Sequence, residues 1–501
     1  MNKSDFVIRF ETLGCRLNQI ESEGAAHFFV EAGFHVDMTP TTASSKEDVS
    51  TVLCVVNTCS VTQKAEQKDR RIIRLLLKKY PKASIIVTGC YAQLRPLEIK
   101  KIDPRVSVLG GQIKNRLSEV PALLGEFLAC HAERTDCHAE RTDCHAERTD
   151  CHAERSRGIS PEDFSSLLEE KICSKTIRTK GLSEDAFRLA TDSFLSHSRS
   201  SIKIQDGCNN NCAYCTIHIA RGKSVSLDVK TVLERVKELE KKGQSEVVFT
   251  SVNIAQYRGL YNGGFLNFTN LLKLCLENTS KINFRISSIY PEIVDDEFCE
   301  VIKDERVCPH FHISVQSGSD RILSLMNRSY SREKIISACE KLKTAKENPF
   351  LACDIITGFP GETDDDFEDT LSLCKKCGFA WIHAFPYSER PDTPAVKMKN
   401  KIPQSVSGQR AERLTEWASK SKIKYIESFS GKETDAVIET NFHAMTKNFI
   451  HCKISCDNDF DKEFIEKNEG KLCKIIIEKI LSDNIKKGGE VEAEAVIVNS
   501  E

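Results

Sequence analysis

The sequence predicts an α/β protein in three parts: an amino-terminal open parallel α/β sheet, a central incomplete (β/α)6 barrel and a small carboxyl-terminal β-barrel. Short β-branched runs alternate with helical runs over residues 6–120 and again over 201–427, which is typical of parallel sheets. From residue 432 onward the pattern changes to short β-type runs flanked by lysines. A chain of 501 residues is also too long for one hydrophobic core, so several domains are expected.

The amino-terminal part, residues 5–125, is expected to form the open sheet with helices packed against it. The pattern predicts strands at 6–9, 51–56 and 84–88 and helices at 22–32 and 64–79. Each predicted strand ends in a loop, and ligands of open parallel sheets bind at the carboxyl ends of the strands. We therefore expect a ligand site at that edge.

A heptapeptide repeat, Cys-His-Ala-Glu-Arg-Thr-Asp, runs from Cys130 to Arg155. A metal site in it would use Cys130, His131, Cys137, His138, Cys144, His145, Cys151 and His152. We favour an exposed insertion without function, because adjacent Cys-His pairs are poorly spaced for one tetrahedral ion. The polar sequence that continues to about residue 200 predicts an extended linker, so residues 126–195 are interpreted as insertion and linker.

The central part, residues 196–428, should contain the barrel. Six strands are predicted, at 201–205, 246–251, 283–287, 311–315, 350–356 and 380–384. The carboxyl-terminal part, residues 430–499, should contain the small β domain. Its clearest β-type runs are 449–454, 474–477 and 490–498.

Charge and hydropathy restrict the environment of the chain. Lysine plus arginine (71) nearly balances aspartate plus glutamate (73), so a polyanion would have to bind at local basic patches. The sequence has no apolar run of signal-peptide or membrane-spanning length. We therefore expect a cytoplasmic protein with no membrane partner, in which the 22 cysteines more often bind metal or do redox chemistry than form disulfides.

Three cysteines follow the first predicted strand of the central part. Cys208, Cys212 and Cys215 are separated by three and two residues in a loop rich in glycine and asparagine. Three thiolates can hold a 4Fe-4S cube and leave its fourth iron without a protein ligand. That iron can chelate the amino and carboxylate groups of S-adenosylmethionine. The alternatives are structural thiols in a turn or a zinc site, and a zinc site would need a fourth ligand nearby.

This loop, with the aromatic Tyr214 before its last cysteine, resembles the radical S-adenosylmethionine superfamily. The resemblance extends to four segments that in the superfamily surround bound S-adenosylmethionine: residues 250–253, 285–288, 312–319 and 354–362. Their order behind the cysteine loop is more specific than any one of them alone.

The amino-terminal part contains a second set of three cysteines. Cys15, Cys59 and Cys90 each follow an apolar run and open a loop, so they are expected to converge at one edge of the sheet and hold a second cube. For any one of them alone a buried packing role would be the simpler interpretation, as it is for Cys54 within a predicted strand.

These three loops resemble the amino-terminal domain of the methylthiotransferases, a radical S-adenosylmethionine family with a second cluster and a carboxyl-terminal nucleic-acid-binding barrel called TRAM. The resemblance covers nearly the whole chain apart from residues 130–200. The sequence Thr-Leu-Gly-Cys-Arg-Leu-Asn around Cys15, with residues 205–208 and 385–388, is most similar to the branch that acts on N6-threonylcarbamoyladenosine beside the tRNA anticodon.

The resemblance implies a transferase that adds a methylthio group to C2 of this nucleoside at position 37, with two 4Fe-4S clusters and S-adenosylmethionine as cofactors. One S-adenosylmethionine would methylate sulfur on the cluster of the amino-terminal part, and a second, bound at the cluster of the central part, would give the radical that removes hydrogen from C2. The implied partners are the tRNA anticodon loop and an electron donor such as flavodoxin or ferredoxin, and we expect a monomer. The implied catalytic cluster ligands are Cys15, Cys59, Cys90, Cys208, Cys212 and Cys215. The implied cofactor contacts are Tyr214, Thr250, Asn253, Ser288, Gln316 and Asp354.

Two other functions stay open at this stage. One is the same chemistry on N6-isopentenyladenosine or on a ribosomal-protein aspartate, and the other is RNA binding by a catalytically degenerate iron-sulfur protein. The chain departs from the family at Leu227, where arginine is common, and at Ser314, where proline is usual; both positions bear on affinity rather than on reaction type.

Several further residues allow two interpretations. Cys374 and Cys377 have C-x-x-C spacing but lie in a predicted helix without a second pair, so packing is favoured. His310 and His312 are as compatible with packing as with substrate contact. Phosphate contact and a solvated surface are equally compatible with Lys474, Lys479, Lys486 and Lys487.

Overall fold

The computed structural model describes residues 3–136, 160–173, 184–189, 200–455 and 459–498. The chain divides into two compact units: unit 1 is Met1–Thr191 with Thr216–Lys223, and unit 2 is Asp192–Cys215 with Ser224–Glu501. Most of the Cys-His repeat lies at 137–159, outside the described residues, so the two interpretations of it stay predictions. No helix in the described ranges is both long enough and apolar enough to cross a membrane.

Unit 1 is built on a parallel five-stranded sheet in the order β2-β1-β3-β4-β5. The strands are β1 Val7–Thr12, β2 His35–Asp37, β3 Thr51–Thr58, β4 Ser84–Gly89 and β5 Val106–Val108. The helices are α1 Arg16–Glu31, α2 Gln63–Lys79, α3 Cys90–Leu94, α4 Pro96–Lys100, α5 Val120–Asp136, α6 Pro161–Leu168 and α7 Ile217–Arg221. Apolar clusters pack on both faces of the sheet, as a parallel sheet requires.

The prediction of an extended linker is wrong for α6 and the helical turn Glu169–Cys173 that follows it. Phe164 and Leu168 are four residues apart on one face of α6 and are fully buried in the core of unit 1. The Phe164 ring packs 5.0 Å from the Phe127 ring. The segment is therefore part of the first hydrophobic core, because its few apolar residues share the same helix face.

Unit 2 contains two parallel sheets, in the orders β12-β9-β6 and β13-β14-β15-β16, and two short antiparallel pairs. The strands are β6 Ser200–Lys203, β7 Gln205–Asp206, β8 Val225–Ser226, β9 Glu246–Thr250, β10 Gly259–Tyr261, β11 Gly264–Leu266, β12 Asn283–Ile286, β13 Ser288–Ile289, β14 His310–Gln316, β15 Phe350–Thr357 and β16 Trp381–Pro386. The helices are α8 Val229–Lys241, α9 Phe268–Glu277, α10 Asp296–Val301, α11 Asp320–Leu325, α12 Arg332–Ala345, α13 Asp364–Cys377 and α14 Gln404–Glu427. All six predicted strands of the central part are found.

The carboxyl-terminal part of unit 2 is a closed barrel of five strands in the order β17-β18-β19-β21-β20. Its elements are β17 Glu433–Glu439, β18 His443–Thr446, β19 His451–Ile454, α15 Asp459–Lys467, β20 Leu472–Ile480, α16 Ser482–Lys486 and β21 Ala493–Ile497. Arg285 of β12 pairs with Glu246 and donates to the carbonyl oxygens of Thr446 and Lys447, both at 3.1 Å. The predicted three-part α/β fold class is confirmed.

Candidate active site

Three cysteines of unit 1 lie together at the carboxyl edge of its sheet. Strands β1, β3 and β4 are neighbours, and Cys15, Cys59 and Cys90 follow them within three residues. Their thiols are close enough to interact electrostatically, as the sequence predicted. The loop of Cys15 approaches the loop of Cys59 most closely at Gly14, which has a φ of +99°. A Cβ at this position would lie 2.8 Å from the Cys59 sulfur, so only glycine fits without a shift.

The loops that carry these cysteines are tied together by the buried side chain of Asn18. Its amide nitrogen donates to the carbonyl oxygen of Leu13 at 2.8 Å and to that of Thr58 at 3.0 Å. Leu13 lies two residues before Cys15, and Thr58 directly precedes Cys59. One side chain therefore fixes the spacing of two of the three loops, which three separate ligands of one cluster require.

Three buried charged side chains lie near this cysteine trio. Glu21 pairs with Lys114 and with Arg221, and all three side chains are buried. Burial raises the pKa of Cys90, while Arg221 and Lys114 act in the opposite direction. Burial also raises the pKa of the Cys59 thiol to about 12. Both thiols are therefore neutral near pH 7, and binding iron would require them to release their protons.

Several buried oxygen atoms near the trio have no hydrogen-bond partner: Thr12 Oγ1, Ser60 Oγ, Asp69 Oδ1 and Thr88 Oγ1. The other oxygen of Asp69 accepts from the Cys59 backbone N–H at 3.2 Å, and burial raises the pKa of this carboxyl to about 8. Unsatisfied buried polar atoms are unusual in a folded protein. Their concentration around three thiols fits a site built for an additional polar group.

In unit 2 the cysteine loop follows β7 and is held by Gln205. The side-chain nitrogen of Gln205 donates to the Gly207 carbonyl at 2.7 Å, and its side-chain oxygen accepts from the backbone N–H groups of Val252 and Asn253. The amide of Asn253 also points to the Cys208 sulfur at 3.9 Å. The loop is thereby fixed to the carboxyl end of β9.

The guanidinium of Arg328 lies beside this loop and donates to the Cys212 sulfur at 3.2 Å. It stacks over the rings of Tyr290 and Tyr330 at 4.8 and 4.7 Å from their centroids. One sulfur of the loop therefore lies at hydrogen-bond distance from a fixed positive charge. Burial raises the pKa of the neighbouring Cys208 thiol.

The carboxyl ends of β9 and β12 present hydroxyl groups without partners. Thr250 Oγ1, Ser251 Oγ and Ser287 Oγ are buried and unbonded. Ser288, which follows Ser287, is half-buried, and Gln316 ends β14 with φ of +69°. Tyr214 packs edge-on against Phe359 at 6.4 Å. These orphaned donors at strand ends fit the polar groups of a small-molecule cofactor.

Among the described residues, no group of three His, Cys, Asp or Glu side chains is arranged to hold a single metal ion. The thiolates of a 4Fe-4S cube each bind a different iron, so they stand farther apart than the ligands of one ion.

Two family models match the chain. The Radical SAM superfamily matches residues 202–374, and the Uncharacterized protein family UPF0004 matches residues 7–111. Threonylcarbamoyladenosine tRNA methylthiotransferase MtaB of Treponema pallidum (strain Nichols) is 42% identical over 464 residues, covering 90% of this chain and 94% of the relative. This chain belongs to the MtaB family of tRNA methylthiotransferases.

The chain is also similar to a second MtaB protein and to a relative named for a different tRNA nucleoside. The MtaB protein of Aquifex aeolicus (strain VF5) is 32% identical, covering 94% of this chain and 100% of the relative. A tRNA-2-methylthio-N(6)-dimethylallyladenosine synthase of Endomicrobium trichonymphae is 30% identical, covering 86% and 88%. The sequence-based prediction that this chain is a radical S-adenosylmethionine methylthiotransferase is confirmed.

The two departures from the family pattern are accommodated by local packing in unit 2. Leu227 is buried; its backbone N–H donates to Ile204 at 2.8 Å, and its carbonyl accepts from the Tyr257 hydroxyl at 2.8 Å. The Ser314 carbonyl accepts from the hydroxyl of Tyr330.

Sequence reasoning missed four charged residues of the two sites: Arg221, Lys114, Asp69 and Arg328. Their charges act across 10 to 200 positions of the chain, so no local spacing marks them. Gln205 stands in the segment 205–208 that the sequence did identify, but its role in holding the loop was not predicted. Ser251 and Ser287 stand inside segments that the sequence did identify. For these two, a search for hydroxyls at strand ends would have been a sufficient signal.

The other singled-out cysteines lie in packed interiors. Cys54 is fully buried in β3. Cys374 and Cys377 on α13 are buried, and their thiols contact those of Cys353 and Cys339 respectively. These contacts join α13 to β15 and α12, in agreement with the favoured packing interpretation.

Proposed function

We propose that this protein adds a methylthio group to C2 of N6-threonylcarbamoyladenosine at position 37 of tRNA. The observation that carries the proposal is the presence of two separate cysteine trios, one in each compact unit, in a chain whose 42% identical relative is named for this substrate. A single cluster would suffice to cleave S-adenosylmethionine, so a second trio calls for a second task, and sulfur supply is that task.

Both trios are proposed as cluster ligands with catalytic roles. Cys208, Cys212 and Cys215 would hold the 4Fe-4S cluster of the radical S-adenosylmethionine domain, and Cys15, Cys59 and Cys90 would hold the second. When bound, the first cluster supplies the electron that cleaves S-adenosylmethionine. Arg328 would then keep its hydrogen bond to the Cys212 sulfur, which its guanidinium already makes.

Residues at the strand ends of unit 2 are proposed to bind S-adenosylmethionine. The buried, unbonded hydroxyl of Thr250 is available to a polar group of the cofactor. The Asp354 carboxylate lies 2.9 Å from His312 and would be shared between that ring and the cofactor. The full proposed set is Tyr214, Thr250, Asn253, Ser288, Gln316 and Asp354.

In unit 1 the protein's own contribution would be to hold the three thiols in register. Asn18 fixes the loops of Cys15 and Cys59 through their carbonyls. Arg221 and Lys114 place positive charge near Cys90, which would favour thiolate binding to iron.

The remaining assignments are also proposals. The domains would be a cluster domain at 5–125, a radical domain at 196–428 and a TRAM-like domain at 430–499. The protein would act as a cytoplasmic monomer on the tRNA anticodon loop, with reduction by flavodoxin or ferredoxin. Unpaired anticodon bases suit such chemistry, because they can be turned out of the stack at modest free energy.

The test is mass spectrometry of tRNA nucleosides from a strain that lacks the gene and from the same strain carrying it. We expect 2-methylthio-N6-threonylcarbamoyladenosine to appear only with the gene. Appearance of the methylthio derivative of isopentenyladenosine would assign the other tRNA substrate, and a modified ribosomal aspartate would assign the protein substrate. Absence of 5'-deoxyadenosine formation by reconstituted protein would support a degenerate RNA-binding protein.

A further inference from the structure

One face of the sheet β13-β14-β15-β16 carries polar and aromatic side chains beside a small apolar cluster of Phe350 and Ala352, against which Trp381 packs. Its residues are His312, Asp354, Trp381, His383 and Phe385. On the opposite face Ile313, Cys353 and Ile382 are at most 1% exposed. A sheet that buries one face in this way and leaves aromatic rings on the other has a face available to a ligand.

Three rings on this face lie in nearly parallel planes. His312 and His383 stack with centroids 5.3 Å apart and planes at 25°, and His383 and Phe385 lie 6.3 Å apart with planes at 7°. Phe385 is 44% exposed and stands on β16, the edge strand of this sheet. The series of rings therefore ends in an accessible flat aromatic surface.

The polar atoms of the face are fixed by their neighbours. Trp381 Nε1 donates to His383 Nδ1 at 3.4 Å, which leaves Nε2 of His383 to carry its proton. A ring that accepts at Nδ1 and carries its proton on Nε2 is a neutral imidazole. A neutral imidazole with a defined N–H can donate to an uncharged acceptor such as a ring nitrogen of a base.

The face is continuous with the proposed cofactor pocket. Ser288 is paired in register with His312, and Asp354 is paired in register with His383. His312 in turn lies 2.9 Å from Asp354, so polar side chains follow one another diagonally across the four strands from Ser288 to His383. Phe385 lies two residues after His383 on the same face of β16, at the open-edge end of this series of polar side chains.

We propose that Phe385 and His383 form a stacking platform for the adenine base of the substrate nucleotide, turned out of the RNA. The inference rests on the proposed function and specifies how its substrate is held. Every base has a flat π-face, and stacking on an aromatic side chain is a recurrent way of binding an unpaired base. An aspartate side chain, by contrast, has no aromatic face that could stack on these rings.

The test compares Phe385→Ala with Phe385→Tyr, which keeps the ring. The matched control is Phe265→Ala, because Phe265 is 71% exposed on the hairpin β10–β11 of the same unit. The probes are a synthetic anticodon stem-loop with N6-threonylcarbamoyladenosine and the same RNA with an abasic target nucleotide. Iron content and the visible spectrum verify that each variant is folded and loaded.

We expect Phe385→Ala to raise KM and the Kd for the modified stem-loop by about tenfold, within the range of base–aromatic stacking. Phe385→Tyr and Phe265→Ala should stay within about twofold of the wild type, given that range. The Kd of the wild type should be higher by the same factor for the abasic RNA than for the modified stem-loop. Phe385→Ala should bind the two RNAs with equal Kd. If Phe385→Ala weakens both RNAs equally, or neither, the platform is refuted.

Failure of the two proposals can be told apart. If the wild type modifies no RNA but the abasic comparison gives the expected pattern, the proposed function fails and the platform stands. If the wild type modifies the stem-loop and Phe385→Ala matches it in KM and Kd, only the platform fails.

Discussion

Arg221 donates hydrogen bonds to the carboxylate of Glu21 at 3.0 Å and to the side-chain oxygen of Asn18 at 2.8 Å. Arg221 lies six residues after Cys215 in the chain, yet the segment Thr216–Lys223 belongs to unit 1. Asn18 in turn holds the loops of Cys15 and Cys59. The segment that follows the loop of Cys215 therefore supplies a positive charge that orients Asn18 and, through it, the loops of Cys15 and Cys59.

Replacement of Arg221 by glutamine should destabilise unit 1. Glu21 would keep Lys114 but lose one of its two buried positive partners, and breaking a buried pair costs about 3 kcal/mol. Urea unfolding should report this loss, and iron content should fall because Asn18 loses its anchor. The control is Lys100→Gln, whose exposed pair with Glu169 is worth less than about 1 kcal/mol. Equal unfolding free energies for the two variants would contradict the role of Arg221.

Replacement of Cys59 by alanine should separate the two proposed clusters. Iron per reconstituted chain should fall from about eight to about four. Formation of 5'-deoxyadenosine should continue, while the methylthio product disappears. Cys54→Ala should keep the full iron content, because Cys54 is buried within β3, the strand that Cys59 follows. A Cys59→Ala protein that retains about eight irons would rule out this trio as a cluster site.

Most of the fold could be predicted because hydrophobic periodicity is a local property. The buried runs of β3 and β15 read directly as parallel strands, and each cysteine loop follows a strand end. The helix predicted at 22–32 begins in fact at Arg16, as α1. Its first turns bury Asn18 and Glu21, so polar residues stand where an amphipathic pattern would require apolar ones.

What the sequence could not provide is contact between distant residues. Arg328 reaches Cys212 across 116 positions, and Arg221 reaches Glu21 across 200. No spacing rule connects such pairs, since the fold alone brings them together. The apolar pair in α6 was missed for a related reason: a short helix in polar surroundings is identified only by the core it packs against.

Asp366 should make stability depend on pH. It completes a capping box with Thr363 at the start of α13. Burial alone would raise the pKa of Asp366, but hydrogen bonds from Arg321, Ser319 and Thr363 hold it well below its usual range. Its contribution is therefore fully present above the unfolded pKa of about 4 and is lost as the pH falls through the folded-state pKa.

Asp366→Asn should lower the unfolding free energy by about 1–2 kcal/mol at pH 7, as expected for a lost cap. The difference from the wild type should shrink below about pH 4, measured by thermal unfolding across a pH series. Asp365→Asn removes an exposed acid from the same helical turn and should cost less than about 1 kcal/mol. A penalty for Asp366→Asn that stays constant down to low pH would contradict the linkage.

The lysines of the carboxyl-terminal barrel are expected to contact RNA phosphates. Lys474 pairs with Glu433 at 3.1 Å, and its side chain is 61% exposed, so it can exchange this weak partner for a phosphate. Lys474→Gln should weaken tRNA binding and reduce the slope of log Kd against log salt by about 1. Lys230→Gln on α8 removes another exposed lysine that has a carboxylate partner, Glu234 at 3.8 Å, and should leave the slope unchanged. If the two variants have the same slope as the wild type, Lys474 belongs to a solvated surface and RNA must approach the chain elsewhere.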